Sequence, residues 1–343
     1  MKVSVLIVTL NGRRWIAACL DSVVAQTYSD VEILALDNGS TDGTAAFLVD
    51  AAARHASLSV VLESTNLGFA GGHNRLIESA SGDLVCLLNQ DVLLDEQFIS
   101  EAVAAFARSP TIGAVQARVY RLSPELERSR IIDTTGLEMH RNRRVVSRGQ
   151  GTDDDHRFDK PGEVFGADGP CPVFRRIALE DVAVALGDDK EYLDGDFFAY
   201  KEDVDLAWRL RLAGWDARYV PSAKAWHGRS VAEPANGGIR TFVGHRRSMA
   251  PWLRRMSWRN HRLMQLKNES PRLFMRDIAP IAWRELRSLA FMAAVHPSDL
   301  VAIIDVVRLT PRMLRKRHSI QRRRRISEAQ FSEWLRSPAR SRR

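Results

Sequence analysis

The sequence predicts an α/β fold: a Rossmann-like, mostly parallel sheet followed by a helical C-terminal region. Short continuous apolar runs alternate with amphipathic stretches through the first 120 residues, the pattern of βαβ units whose strands are covered on both faces. Polar clusters close those apolar runs, so the strand ends fall together on one rim. Charge is also segregated. Asn236–Arg343 holds 25 of the 50 Lys/Arg but only 7 of the 42 Asp/Glu, a balance of +18, which leaves −10 on Met1–Ala235. An acidic body, residues 1–235, and a basic helical region, residues 236–343, suggest two jobs.

The elements follow in order. Val3–Leu10 is a β-branched run and reads as a strand, and Trp15–Ala25 has helical spacing. Further strands are expected at Val31–Leu36, Leu58–Leu62, Leu84–Leu88 and Gly113–Val119, with helices at Gly43–Arg54, Ala70–Ala80 and Glu96–Arg108 between them. Residues 120–165 are Arg-rich and polar and read as loops with room for a hairpin. A helix is expected near Ile177–Leu186 and another from Glu202 to Ala213, stopped by Gly214. Ala217–Ser230 reads as short strand-like pieces. Met249–Asn268 and Ile278–Arg325 read as helices, with Pro297 and Pro311 as breaks.

Composition excludes several classes. With 45% hydrophobic and 27% charged residues the chain is globular rather than disordered. Cys19, Cys86 and Cys171 form neither a metal-type pair nor an even disulfide set, which suits a reducing compartment. The opening apolar run breaks at Asn11-Gly12 without a small-residue cleavage site, unlike a signal peptide. No apolar run is long enough to predict a membrane-spanning helix. "TLNGRRW" lacks the G-x-G-x-x-G of a dinucleotide-binding dehydrogenase.

In parallel sheets, ligands bind beyond the carboxyl ends of the strands. Here those ends are Thr9-Leu10-Asn11-Gly12, Asp37–Asp42, Glu63–Gly68 and Asn89-Gln90-Asp91. Asp91 closes a core strand, either as the N-cap of the next helix or as a site carboxylate. Glu202 and Asp203 follow the aromatic cluster Phe197, Phe198 and Tyr200 and open a helix, where acidic residues are stabilising in their own right.

"VSVLIVTLNG", "ILALDNGSTDGT", "NLGFAGGHNRLIESASGDLVCLLNQDV", "FFAYKEDVDLAWRLRLAGW" and "YVPSAKAWHGRS" stand in that order over Met1–Arg229. Together they resemble family 2 glycosyltransferases of the GT-A fold, especially the rhamnosyltransferase-like branch of bacterial cell-surface polysaccharide synthesis. The resemblance implies an inverting transfer from a nucleotide-diphosphate sugar, dTDP- or UDP-linked, to a saccharide or lipid-linked saccharide. It implies that Asp37 accepts from the pyrimidine N–H. Thr9, Asn11, Asn38, Asn66, Gly71, Asn74, Asn89 and Gln90 would line the nucleotide-sugar site. Asp91 and His227 would hold Mg²⁺ or Mn²⁺, although the family's Asp-x-Asp has Asn89 in its first position here. Asp203, with Glu202 second, would be the general base. Asp205 is expected to be structural. The missing first carboxylate leaves a non-catalytic nucleotide-sugar-binding or scaffold protein as the rival reading.

The basic region admits three readings: helices packed on the body, a docking surface for an anionic membrane, or a nucleic-acid patch. No nucleic-acid motif accompanies the charge, so no nucleic-acid partner is expected. The membrane reading puts the protein in the cytoplasm, peripheral at the cytoplasmic face of the inner membrane. Lys316–Arg325 would be its main contact, with Trp252, Trp258 and Trp283 as anchors.

Overall fold

In the computed structural model, residues 1–186, 189–228, 244 and 249–336 are described. The first part alternates strand and helix: β1 (Val3–Thr9), α1 (Ile16–Val24), β2 (Val31–Asp37), α2 (Thr44–Arg54), β3 (Leu58–Leu62), α3 (Gly68–Ser79), β4 (Leu84–Asn89), β5 (Val92–Leu94), α4 (Phe98–Ala107) and β6 (Ile112–Leu122). Then come β7 (Arg128–Thr134), β8 (Leu137–His140), β9 (Val145–Ser147), β10 (Gly162–Glu163), β11 (Val173–Arg175), α5 (Arg176–Val182), β12 (Val184–Leu186), β13 (Asp189–Glu191), α6 (Glu202–Leu212) and β14 (Asp216–His227).

β4, β1, β2 and β3 lie side by side and parallel, with Leu6 opposite both Leu34 and Leu87. β11 runs antiparallel between β4 and β6, and β14 is parallel to β6. The carboxyl ends of β3, β2, β1, β4, β6 and β14 therefore share one edge. α1, α2 and α4 bury Ile16, Leu48 and Phe98 on one face of the sheet. α3, α5 and α6 bury Leu76, Leu179 and Leu206 on the other. Two covered faces explain why the strands read as unbroken apolar runs rather than alternating ones.

Two local expectations change, and a third is filled out. Residues 120–165 are mainly loop, with β8 and β9 as the hairpin, and they also supply the short strands β7 and β10. Their charged residues disguise them because they pair with one another. Buried Arg118 bonds Asp154 at 2.9 Å, Asp159 at 2.7 Å and the Tyr219 hydroxyl at 3.1 Å. The helix near Ile177–Leu186 stops at Val182, and β12 follows. Ala217–Ser230 is not a set of short pieces. β14 runs unbroken to His227, with a register irregularity between Val220 and Lys224, where Pro221 removes a ladder donor.

The C-terminal region consists of α7 (Pro251–Asn268), α8 (Pro271–Arg276), α9 (Ile278–Val295), α10 (Ala302–Arg322), α11 (Glu328–Ser332) and β15 (Leu335–Arg336). It shares a core with the body: Phe197, Val204 and Trp208 pack with Leu263, Met264, Met313, Ile320 and Phe331. β15 adds a strand to β8. The opposite charges of the two parts meet inside. Lys267 contacts Asp194 and lies 2.9 Å from Asp205, and Lys316 reaches Glu191, Asp194 and Asp196 at 2.7, 2.5 and 2.8 Å.

This packing corrects the membrane contact expected for Lys316–Arg325. Lys316 is fully buried, Arg323 bonds the Ala183 carbonyl and Arg325 bonds Asp181. Trp258 is also buried, unlike Trp252 and Trp283. The 235/236 boundary lies outside the described residues.

Candidate active site

The nucleotide side of the site is built from the ends of β1, β2 and β4. Thr9 stands opposite Asp37, and Val8 opposite Asn89. Gln90 closes the rim: its Oε1 accepts from Thr9 Oγ1 at 2.5 Å and from the Leu10 N–H at 3.0 Å. Asp37 is buried. Its Oδ2 accepts from the Ser40 N–H at 2.9 Å, while its Oδ1 has no partner among the described residues. Asn89 Oδ1 is buried in the same unpaired state. Buried acceptors left unpaired cost about 1–3 kcal/mol each, so these atoms mark where a donor group belongs.

Other expected contacts hold the loops. Asn38 Nδ2 donates to Asn66 Oδ1 at 2.9 Å and to the Gly68 carbonyl at 3.2 Å, while its Oδ1 accepts from the Leu67 N–H. Asn11, at φ 49°, accepts from the Thr41 N–H. Gly71 and Asn74 lie inside α3 rather than in a loop. Asn74 donates to the Leu193 carbonyl and accepts from the Tyr192 and Leu193 N–H groups, tying α3 to the acidic turn.

Asp91 is no helix cap. β5 intervenes, and Asp95 accepts from the Gln97 N–H ahead of α4. β5 pairs with β14 so that Val92 faces His227, and the Gly228 N–H donates to the Asp91 carbonyl at 2.8 Å. His227 Nε2 then lies 3.5 Å from Asp91 Oδ1, while its Nδ1 is 2.9 Å from Asp133 Oδ2. A carboxylate behind one ring nitrogen, with the other facing a second carboxylate, is how metal-binding histidines are oriented. Burial disfavours the charged ring, but hydrogen bonds to Asp133 and Asp91 outweigh it and raise the His227 pKa to about 9. Among the described residues no group of three such side chains that could hold a metal ion occurs. At neutral pH the ring is thus protonated between the two carboxylates, and a hard cation held by Asp91 and His227, with substrate oxygens as its other ligands, would have to displace the proton on Nε2. Asp133 was not foreseen, since its strand was hidden in the Arg-rich stretch.

Glu202 and Asp203 open α6 behind an unusual turn. Phe198, Tyr200 and Lys201 all have positive φ, 62°, 69° and 75°. Non-glycine residues hold such backbone only where surroundings impose it. The Ala70 N–H donates to the Phe198 carbonyl at 3.1 Å, which seats the turn on the start of α3. Gly68, at φ 74°, is needed there, because a Cβ would lie 2.5 Å from the Phe198 ring. From the other side Asn260 of α7 donates to the carbonyls of Phe197, Ala199 and Tyr200 at 2.9, 2.8 and 2.8 Å.

Burial raises the Glu202 pKa to about 8, helped by the neighbouring Asp203 charge. Burial and the Asp168 carboxylate raise Asp203 to about 6, against the opposing pull of Lys201 and the Val204 N–H. Asp168 is buried in "GADGPCP", its Oδ1 held by the Gly169 N–H at 2.9 Å. Its lone carboxylate in a Gly/Pro turn carried no periodic signal. Asp205 is structural: it pairs with Arg209 at 2.9 Å and Lys267 at 2.9 Å and accepts from Asn268 at 2.7 Å.

Comparison with known proteins bears on the fold and the family. Over 226 residues the chain is 26% identical to a poly-beta-1,6-N-acetyl-D-glucosamine synthase of Staphylococcus epidermidis, covering 65% of this chain and 49% of that protein. The matching synthase of Staphylococcus aureus strain COL shows the same identity and coverage. The chain thus spans about half the length of these relatives. Among solved structures, S. aureus TarS 1-349 with UDP-GlcNAc superposes with a TM-score of 0.55 at 16% identity, covering 98% of this chain and 93% of that one. The mannosyltransferase PcManGT of Pyrobaculum calidifontis, in complex with GDP-Man and Mn²⁺, gives 0.52 at 19%, covering 94% and 85%. The shared fold is the GT-A arrangement that the motifs led us to expect. Glycosyl transferase family 2 matches residues 4–183, more than half of the chain, and the chain belongs to that family.

Proposed function

We propose that the chain is an inverting, metal-dependent glycosyltransferase that moves a sugar from a dTDP- or UDP-linked donor to a saccharide or lipid-linked saccharide acceptor. Rhamnose follows from the motif resemblance. The relatives named for an N-acetylglucosamine polymer bring that sugar beside it. The work is done in the cytoplasm, against the cytoplasmic face of a membrane.

The observation that carries the reading is Asp203: a carboxyl raised towards neutral pH, in a turn seated on the nucleotide rim. In the reaction its carboxylate takes the acceptor hydroxyl's proton as that oxygen attacks the anomeric carbon. The bond from that carbon to the diphosphate oxygen breaks on the opposite face, and the single displacement inverts configuration. Asp37 Oδ1 accepts the N3–H of uracil or thymine. Asp91 and His227 would hold the cation. When bound, a divalent ion supplies neutralisation of the departing diphosphate.

Thermal unfolding with UDP-GlcNAc, dTDP-rhamnose and GDP-mannose, each with Mn²⁺, tests donor binding, since a ligand of the native state raises the midpoint. Release of UDP or dTDP with an acceptor present then tests transfer. A midpoint shift without turnover in any pairing would favour the scaffold reading.

A further inference from the structure

The C-terminal region exposes apolar side chains that its own core does not use. On α9, Ile278, Trp283, Leu286 and Leu289 are 42%, 61%, 60% and 37% exposed. At 100° per residue they fall, with Ala282, Ala290 and Ala293, within an arc of about 140° that contains no charge. Next to one edge of the arc α9 buries Ile281 and Met292, and Glu285, which borders that edge beside Ile278, is neutralised by Arg262 and Arg284. α10 repeats the pattern: Ile303, Ile304, Val307 and Leu314 are exposed, while Ala302, Met313 and Ile320 are buried.

Charge completes the surface. Arg287 borders the apolar arc of α9, and Arg308 and Arg315 border that of α10. All three are exposed and make no ion pair among the described residues. The buried lysines of the region are committed to body carboxylates, whereas these three arginines, which edge the apolar arcs, are open to an outside partner. No described helix is long and apolar enough to cross a membrane. An apolar arc edged with arginine suits an anionic lipid surface, with the rings and aliphatic chains at the acyl boundary and the guanidinium groups at the phosphates.

We infer that the exposed faces of α9 and of α10 as far as Arg315 form a membrane-docking surface for an anionic leaflet. The inference rests on the membrane reading of the acceptor, but it moves the contact from the basic run at Lys316–Arg325 to an apolar face.

Flotation of the full chain with vesicles tests it, using phosphatidylcholine mixed with phosphatidylglycerol and phosphatidylcholine alone. Wild type should float with the mixed vesicles and weaken with salt. The double variant Trp283→Ser, Leu286→Ser should lose at least about tenfold in binding. Arg287→Gln should lose about fivefold. Circular dichroism should show every variant folded, since these positions are exposed, and the donor-induced thermal shift should be unchanged, which separates this proposal from the catalytic one. Flotation of the double variant equal to wild type would overturn the surface while leaving membrane attachment standing. Wild type that ignores both vesicles would overturn it too. If such a protein were a dimer dispersed by the double variant, the occupant would be a second copy.

Discussion

Asn260, on the C-terminal helix α7, donates its side-chain amide to the carbonyl of Tyr200 at 2.8 Å, inside the turn that delivers Glu202 and Asp203. The same nitrogen reaches the carbonyls of Phe197 and Ala199. A helix of the C-terminal region thus braces the positive-φ turn that leads into the proposed base. Asn260→Ala should cost about 3 kcal/mol of stability, because buried carbonyls lose their donor. It should also lower kcat while leaving the donor KM nearly unchanged. A urea midpoint and steady-state kinetics check both; an unchanged kcat would mean that the turn holds itself.

The pH dependence of turnover tests the acidic pair. If Asp203 is the base, kcat should rise with pH through an apparent pKa near 6, as its raised carboxyl ionises. If Glu202 were the base, the limb would sit near 8. Stability should move the other way. Glu202 ionises at about 8 in the folded protein and at about 4.5 when exposed. Its contribution is therefore complete below 4.5 and lost as pH rises through 8. Asp203→Asn should cost roughly 10²- to 10⁴-fold in kcat.

Asp168 supplies a second handle on the same limb. Asp168→Asn removes a like charge beside Asp203, so the acid limb of kcat should move below 6. A variant that merely loosened the turn would lower kcat without moving the limb. The full pH profile of the variant distinguishes the two.

The strands and helices of the first 120 residues were legible because both sheet faces are covered and each run is apolar throughout. The positions of Asp37 and Asp91 at strand ends, and of Glu202 and Asp203 at a helix start, were legible because apolar runs stop there; the approach of His227 to Asp91 came from the motif order alone. Asp133 and Asp168 were not, since each is a single carboxylate in a stretch without periodicity. Asn38 and Asn74 read as ligand contacts but hold loops, a difference that depends on tertiary neighbours 28 to 119 positions away. Lys267 and Lys316 read as tail charge, and nothing local to either residue reveals that its carboxylate partners lie in the body.

Asp133 should matter for metal affinity without touching the metal. Its carboxylate, 2.9 Å from His227 Nδ1, fixes which ring nitrogen faces Asp91. Removing such a partner typically costs 10- to 100-fold in metal affinity. Asp133→Asn should therefore raise the Mn²⁺ concentration needed for half-maximal activity by that factor, with kcat at saturating Mn²⁺ largely retained. Asp91→Asn should remove the Mn²⁺ response altogether. An unaltered Mn²⁺ titration in both variants would leave Asp91 and His227 as a structural pair.

A buried lysine pair couples body and tail. Asp194 accepts from Lys267 and Lys316, and although burial alone would raise its pKa, the two ammonium groups hold its carboxyl well below the ordinary range. A depressed folded-state pKa means that this stability is present above the ordinary carboxylate pKa and lost as pH falls towards the folded value. Lys316→Met keeps the aliphatic volume but leaves Glu191, Asp194 and Asp196 crowded without one of their cations. Breaking a buried pair from one side costs about 3–5 kcal/mol, a large part of an ordinary domain's stability. The loss should shrink at acid pH as the carboxylates accept protons instead. Cutting the chain after Ala235 is the extreme case, removing both lysines, Asn260 and half of the core around Trp208. That fragment should aggregate or stay unfolded, and Lys316→Met should unfold at lower urea while keeping the wild-type donor-induced thermal shift. A fragment with a native near-ultraviolet spectrum and a normal donor shift would show instead that the body closes its own core.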